Sequence, residues 1–129
     1  MISIEDFKKV ELVVGKILSV EKVPDTDKLL KLEVDMGPAF AEGSSEAKEK
    51  RDIRQIVSGI SLYYPDHSVL VGKKCMFVAN LEPRMIRGLE SQGMILAIST
   101  EDTHSTGSGQ GKFSLLEPND EIPVGTKAR

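Results

Sequence analysis

Tryptophan is absent from the 129-residue chain, and cysteine, histidine and aromatic residues are scarce. Cys75 stands alone, His67 and His104 are the two histidines, and there are four phenylalanines and two tyrosines. A lone cysteine excludes an intrachain disulfide, which suits a reducing cytoplasm. A zinc site takes about four nitrogen or sulfur ligands at characteristic spacing, and two histidines in different loops do not supply it. No metal or other cofactor is expected. So few rings also argue against the extended base stacking that single-strand binders use. No apolar run approaches the ~18 residues that span a bilayer, and Met1-Ile2-Ser3-Ile4-Glu5-Asp6 lacks the basic-then-apolar order of a secretory signal. No membrane partner is expected, and the expected location is cytoplasmic. An excess of positive charge is missing too, since 17 Lys and Arg face 20 Asp and Glu for a net charge of -3.

A catalytic constellation is also missing. Cys75 lies inside an apolar stretch with no identifiable base, as a small core residue would. Asp25 and Asp27 fall in a turn and are explained by turn chemistry. Gly107-Ser108-Gly109-Gln110-Gly111 follows no phosphate-loop pattern. The chain is not expected to be an enzyme.

What remains is a globular composition, 40% hydrophobic and 29% charged, in a length that suits one domain able to bury a core. Ser3 with Asp6 predicts an N-cap and one helical turn through Phe7 and Lys8, docking Phe7 on the body. Val10, Leu12, Val14, Leu18 and Val20 keep a period of two, so Val10 to Val23 reads as one long strand with a bulge or bend at Gly15. Pro24-Asp25-Thr26-Asp27 is a turn, the aspartates bonding nearby backbone. Leu30, Leu32 and Val34 alternate with Lys31, Glu33 and Asp35 in a second strand that Gly37-Pro38 ends. Ala39 to Asp52 reads as an exposed loop, helical in part near Glu46 to Arg51. Arg54 to Ile60 is a third strand, Tyr63 to Val71 a connector with a helical turn, and Lys74 to Asn80 a fourth strand. Leu81 to Gln92 reads as a charged loop and Gly93 to Ser99 as a fifth strand. Thr100 to Lys112 is rich in Gly, Ser and Thr, and two short strands follow at Phe113 to Leu116 and Ile122 to Val124. The fold class is therefore all-β, with a small five-stranded barrel favoured over a sandwich, a short N-terminal helix and a C-terminal extension. One domain covers 1–129, with a core over about 7–99, a loop at 100–112 and the extension at 113–129.

The informative segment runs from Asn80 to Met94, Asn-Leu-Glu-Pro-Arg-Met-Ile-Arg-Gly-Leu-Glu-Ser-Gln-Gly-Met. Arg84 and Arg87, three residues apart between proline and glycine, would project from a loop joining two strands. The planar guanidinium fork suits phosphate oxygens and base edges, although the same composition also fits a solvated charged turn. Phosphate affinity depends on local charge. From Lys73 to Met94 the four cations Lys73, Lys74, Arg84 and Arg87 face Glu82 and Glu90, so this window is positive within an acidic chain.

Several blocks, in order, resemble the tRNA-binding domain carried at the C-terminus of bacterial methionyl-tRNA synthetases and by free-standing tRNA-binding proteins. They are Phe7 to Ile17, Asp27-Lys28-Leu29-Leu30, Ile56 to Ile60, Val71-Gly72-Lys73 leading into Val78-Ala79-Asn80-Leu81, and the arginine segment with Ser91-Gln92-Gly93-Met94. The resemblance covers about Phe7 to Ile98. It implies an OB-fold barrel, a homodimer, and tRNA binding with little sequence preference, as an appended domain or partner of a synthetase's catalytic domain. Carried over by motif, Asn80, Arg84, Arg87, Ser91 and Met94 form the tRNA-contacting loop and strand, with Lys28 adding a phosphate contact. Arg84 and Arg87 would meet phosphates or bases, Asn80 and Ser91 would hydrogen-bond, and Met94 would pack under a splayed base or, alternatively, in the core. Met85 stands where the family often carries lysine. Lys48, Lys50, Arg51 and Arg54 would supply compensating charge, unless the interleaved acids make that loop merely solvated. An alternative function is a protein-binding or export-type chaperone dimer on the same fold.

Overall fold

The computed structural model describes residues 1–38, 51–100 and 112–129. Among the described residues helix is limited to one turn, α1 (Ile4–Phe7), and two 3-10 turns, Ser61–Tyr63 and His67–Leu70. The strands are β1 (Leu12–Lys22), β2 (Leu30–Pro38), β3 (Arg51–Ser58), β4 (Lys74–Val78), β5 (Arg84–Ile86), β6 (Leu89–Ser91), β7 (Met94–Ile95), β8 (Ala97–Ser99) and β9 (Phe113–Leu115). Five of them form one antiparallel sheet in the order β3-β2-β1-β4-β7, curled around a single core in the manner of an OB-type barrel. The expected all-β class and strand-rich architecture are what the molecule adopts.

The N-terminus follows its sequence signal. The Ser3 hydroxyl accepts the Asp6 N–H at 3.1 Å, and the Asp6 carboxylate accepts the Ser3 N–H at 3.4 Å, a reciprocal capping box. Phe7 is half-buried.

β1 organises the sheet by serving different partners along its length. Leu12 to Lys16 pair with β4, and Lys16 to Lys22 pair with β2. The edge that β2 leaves open is taken by the C-terminal residues. Val14 N–H donates to Thr126 O at 2.9 Å, and Ala128 N–H donates to Leu12 O at 2.8 Å. The bulge lies between Ile17 and Ser19 and not at Gly15. Leu18 is the extra residue and is pushed outward, so the inward row runs through Gly15 and Ile17 and resumes at Val20, packed against the core. Gly15 answers a different need. A Cβ there would lie 2.7 Å from Phe77 Cδ1 and 2.8 Å from Val34 Cγ1, so its lack of a side chain admits the largest fully buried ring.

Inward Leu30, Leu32 and Val34 of β2 are wholly buried, as the alternation predicts. Other expectations change. The turn after β1 is held by Thr26, whose N–H and hydroxyl both donate to Val23 O, and not by the aspartates. Leu81 to Gln92 is not simply a loop, because β5 and β6 form a hairpin within it. The fifth strand divides at Leu96. β7 joins β4, while β8 leaves the sheet to pair with β9. Ile122 to Val124 forms a turn instead of a strand, and the bridge to β1 comes from Lys127. Arg51 and Asp52 open β3 instead of closing a helical loop. The remainder of that loop (39–50) and most of the Gly/Ser-rich segment (101–111) lie outside the described residues.

Replacing Gly15 with alanine should lower stability by about 1–3 kcal/mol, because the crowding atoms belong to packed core side chains. The shift of the urea midpoint measures it, and an unchanged midpoint would show that Phe77 yields freely.

Candidate nucleic-acid interface

The β5–β6 hairpin carries both arginines, and its geometry follows from two residues. Arg87 (φ 51) and Gly88 (φ 80) both occupy the left-handed region, which a two-residue turn matched to strand twist requires. Glycine does this freely. Arg87 does so at some cost and is thereby presented at the apex. The pairs Arg84 with Ser91, Met85 with Glu90 and Ile86 with Leu89 define the hairpin register.

The root of the hairpin is fastened to β3. Ser91 is 4% exposed, and its hydroxyl accepts the buried Val57 N–H at 3.0 Å while donating to Gly93 O at 3.1 Å. Gln92 N–H donates to Gln55 O at 2.8 Å, and the Gln92 side-chain oxygen accepts Gln55 N–H at 3.1 Å. Gln55 Nε2 reaches Glu90 O at 2.9 Å. Arg54 spans the same seam, donating to Ala79 O and Gln92 O while a fork of bonds ties it to Asp52.

The residues proposed from sequence therefore divide. Arg84 and Arg87 are exposed and have no acid partner among the described residues. Lys28 is exposed, and it lines with Arg87 a groove of about 450 Å³ between the 25–29 turn and the hairpin tip. Met94 is 45% exposed in β7, which disfavours the core-packing alternative, and Met85 is 67% exposed beside Arg84. Ser91 points into the seam with its hydroxyl already committed. The Asn80 side chain accepts Glu11 N–H at 2.8 Å and donates to Lys9 O, clamping the segment that enters β1. Arg54, Gln55 and Gln92 were not singled out as the fasteners of this element. Only the Ser-Gln-Gly-Met block hinted at them.

The chain matches the family described as "Putative tRNA binding domain" over residues 12–127. It is 45% identical over 130 residues to a methionine–tRNA ligase of Methanoregula boonei, covering 100% of this chain and 16% of that ligase. Among solved structures it resembles a MetRS-related protein from Pyrococcus horikoshii (TM-score 0.78, 35% identity, covering 100% of this chain and 98% of that one). It also resembles the chaperone CsaA from Bacillus anthracis (TM-score 0.71, 26% identity, covering 100% and 99%). The chain belongs to the tRNA-binding domain family. It spans about one sixth of the length of the ligases it matches.

In this tRNA-binding domain, several described cations outside the hairpin are engaged within the fold. Lys73 pairs with Glu117 at 3.3 Å, and Lys74 donates to Asp120 O and Ile122 O, so both tie down the C-terminal extension. Arg51 is forked onto Asp35 and Arg54 onto Asp52, which leaves neither free as the expected compensating charge. Lys48 and Lys50 lie outside the described residues. Tyr63 stacks on Phe113 at 4.0 Å, Tyr64 meets the same ring edge-on, and Phe77 is in the core. Phe77, Phe113 and Tyr64 are thus committed to packing, while Tyr63 stacks on Phe113 and keeps 39% of its surface exposed. Cys75 is fully buried, and burial first, then the Glu117 charge, push its thiol up to about 12. No group of three or more His, Cys, Asp or Glu among the described residues could hold a metal ion. Nor is any described helix long and apolar enough to cross a membrane.

Two outcomes follow. Ser91→Ala should cost about 1–3 kcal/mol by stranding the Val57 N–H, while Arg84→Ala should leave the urea midpoint where it was. Equal effects would mean that the seam bond is dispensable. Cys75 should resist iodoacetamide at pH 8 in the native protein and react on unfolding, because only thiolate attacks. Prompt native labelling would contradict the burial.

Proposed function

We propose that the chain is a tRNA-binding module with little sequence preference. Arg84 and Arg87 neutralise phosphates, Lys28 adds to them across the groove, and Met94 and Met85 offer apolar contact to an exposed base. The observation that carries this reading is a rigidly rooted hairpin bearing two unpaired arginines, in a chain whose other described arginines within strands are consumed by carboxylates. Family membership and the thinness of free aromatic surface support recognition of folded RNA by shape and charge. Ser91 and Asn80 serve that surface by positioning it. As an appended domain or partner of a synthetase catalytic domain in the cytoplasm, the module raises tRNA affinity through effective concentration, which turns weak generic binding into useful avidity. A homodimer joined near the chain ends belongs to the same reading. Apolar Ile2, Ile4 and Val10 are exposed there, beside a groove shared by α1 and residues 127–129.

The test is tRNA titration by fluorescence anisotropy at several salt concentrations. Three phosphate contacts predict a log–log slope of about -2 to -3, at roughly -0.9 per phosphate neutralised. Arg84→Ala with Arg87→Ala should weaken binding at least tenfold at low salt while melting as the parent does. Undetectable tRNA binding, or indifference to the double substitution, would defeat the proposal. Full-length likeness to CsaA favours a second reading, a protein-binding chaperone. Capture of a reduced, unfolded model protein at all salt concentrations, without tRNA binding, would establish that one instead.

A further inference from the structure

The groove between the 25–29 turn and the hairpin tip has a composition unsuited to phosphate alone. Lys28 and Arg87 line it, but so do Asp25 and Asp27, so its formal charges cancel. The two carboxylates are not occupied in holding the turn, which Thr26 holds through Val23 O. No described residue bonds or pairs with either aspartate. Asp25 is also fixed in the left-handed region, with φ 64. Two free carboxylates beside a polyanion's binding surface repel phosphate. They gain only where the RNA turns donors toward them, on a base edge or a ribose hydroxyl. Leu29 and Ile86 give the groove apolar lining, and Arg87 brings a planar guanidinium on which a base can lie. A volume of about 450 Å³ falls within the range usual for small-ligand sites.

We propose that this groove receives one unpaired guanine of the bound RNA, with its Watson–Crick edge toward Asp25 and Asp27 and its face against Arg87. The choice of base follows from donor geometry. Guanine alone presents two parallel donors, N1–H and the N2 amino group, to the two oxygens of a carboxylate. Adenine and cytosine set one amino group beside a ring acceptor that a carboxylate repels, and uracil sets one N–H between two carbonyls. Lys28 then neutralises the phosphate beside the extruded nucleotide. The inference rests on the RNA-binding reading above. It adds a local base preference to otherwise generic recognition.

The experiment titrates the full chain with stem-loop RNAs identical except at one position of an all-uridine loop. That position carries guanine, inosine, adenine, cytosine or uridine. The guanine loop should bind about tenfold more tightly than the others, the size of one good bidentate pair. Inosine, which lacks the N2 amino group, should lose most of that advantage. Asp25→Asn with Asp27→Asn should bring the guanine loop to the adenine level and leave the adenine loop bound as well or better, with an unchanged melting curve. Equal binding of all loops by the parent chain overturns the guanine pocket and leaves RNA binding standing. Failure to bind any loop, or tRNA, overturns both. A guanine preference that survives the double substitution, or disappears with EDTA, overturns the direct carboxylate contact, in the second case in favour of a bound divalent cation.

Discussion

A five-stranded curled sheet has two edges to satisfy, and in this domain the seam between β3 and the β6–β7 segment is the bond on which the rest depends. Regular strand pairing does not close it. Side chains do most of it, with the Ser91 hydroxyl on Val57 N–H, the Gln92 side-chain oxygen on Gln55 N–H, Gln55 Nε2 on Glu90 O, and Arg54 reaching two carbonyls, beside one main-chain bond from Gln92 N–H to Gln55 O. A buried N–H without an acceptor costs far more than a hydrogen bond gains, so the seam is a constraint as well as a contribution. Because its fasteners sit at the base of the β5–β6 hairpin, satisfying the barrel edge and fixing the arginine-bearing hairpin are one event.

The same economy governs charge. A chain of net charge -3 presents positive potential only if its acids are spent elsewhere. Asp35 and Asp52 hold Arg51 and Arg54, Glu117 holds Lys73, and Glu11 holds Lys127 at 3.2 Å. These pairs fasten the sheet edge and the C-terminal extension to the body. The hairpin arginines are left unpaired among the described residues. Glu82 and Glu90 balance the two arginines in formal charge along this segment, so what distinguishes the tip is the placement of Arg87 at its apex and not a net excess of charge.

Much of this was legible in the residues. The capping box, the alternation of β2 and the all-β class follow from short-range rules, and the structure obeys them. The block from Asn80 to Met94 contains the hairpin that carries both exposed arginines. The errors share one cause, which is that the deciding contacts are distant in sequence. Period-two counting through Leu18 missed the bulge, because only the pairing of Ile17 with Val34 and Ser19 with Glu33 reveals it. A glycine inside a strand predicts a bulge or bend at Gly15, whereas Phe77, sixty-two positions away along the chain (77 minus 15), determines its identity. The arginine segment reads as a loop because its hairpin-turn pair, Arg-Gly, puts an unfavoured residue at the first left-handed position. The Ser91 hydrogen bond to Val57 is likewise invisible without the fold.

The Val57 amide has a further consequence. Its acceptor belongs to Ser91, at the foot of the hairpin, so that proton is shielded only while the hairpin is seated. Its exchange with deuterated solvent is a built-in gauge of hairpin seating, read from a strand that the cationic tip itself does not belong to. A partner that binds only the seated tip slows that exchange, so occupancy of an exposed surface is reported by a buried backbone group.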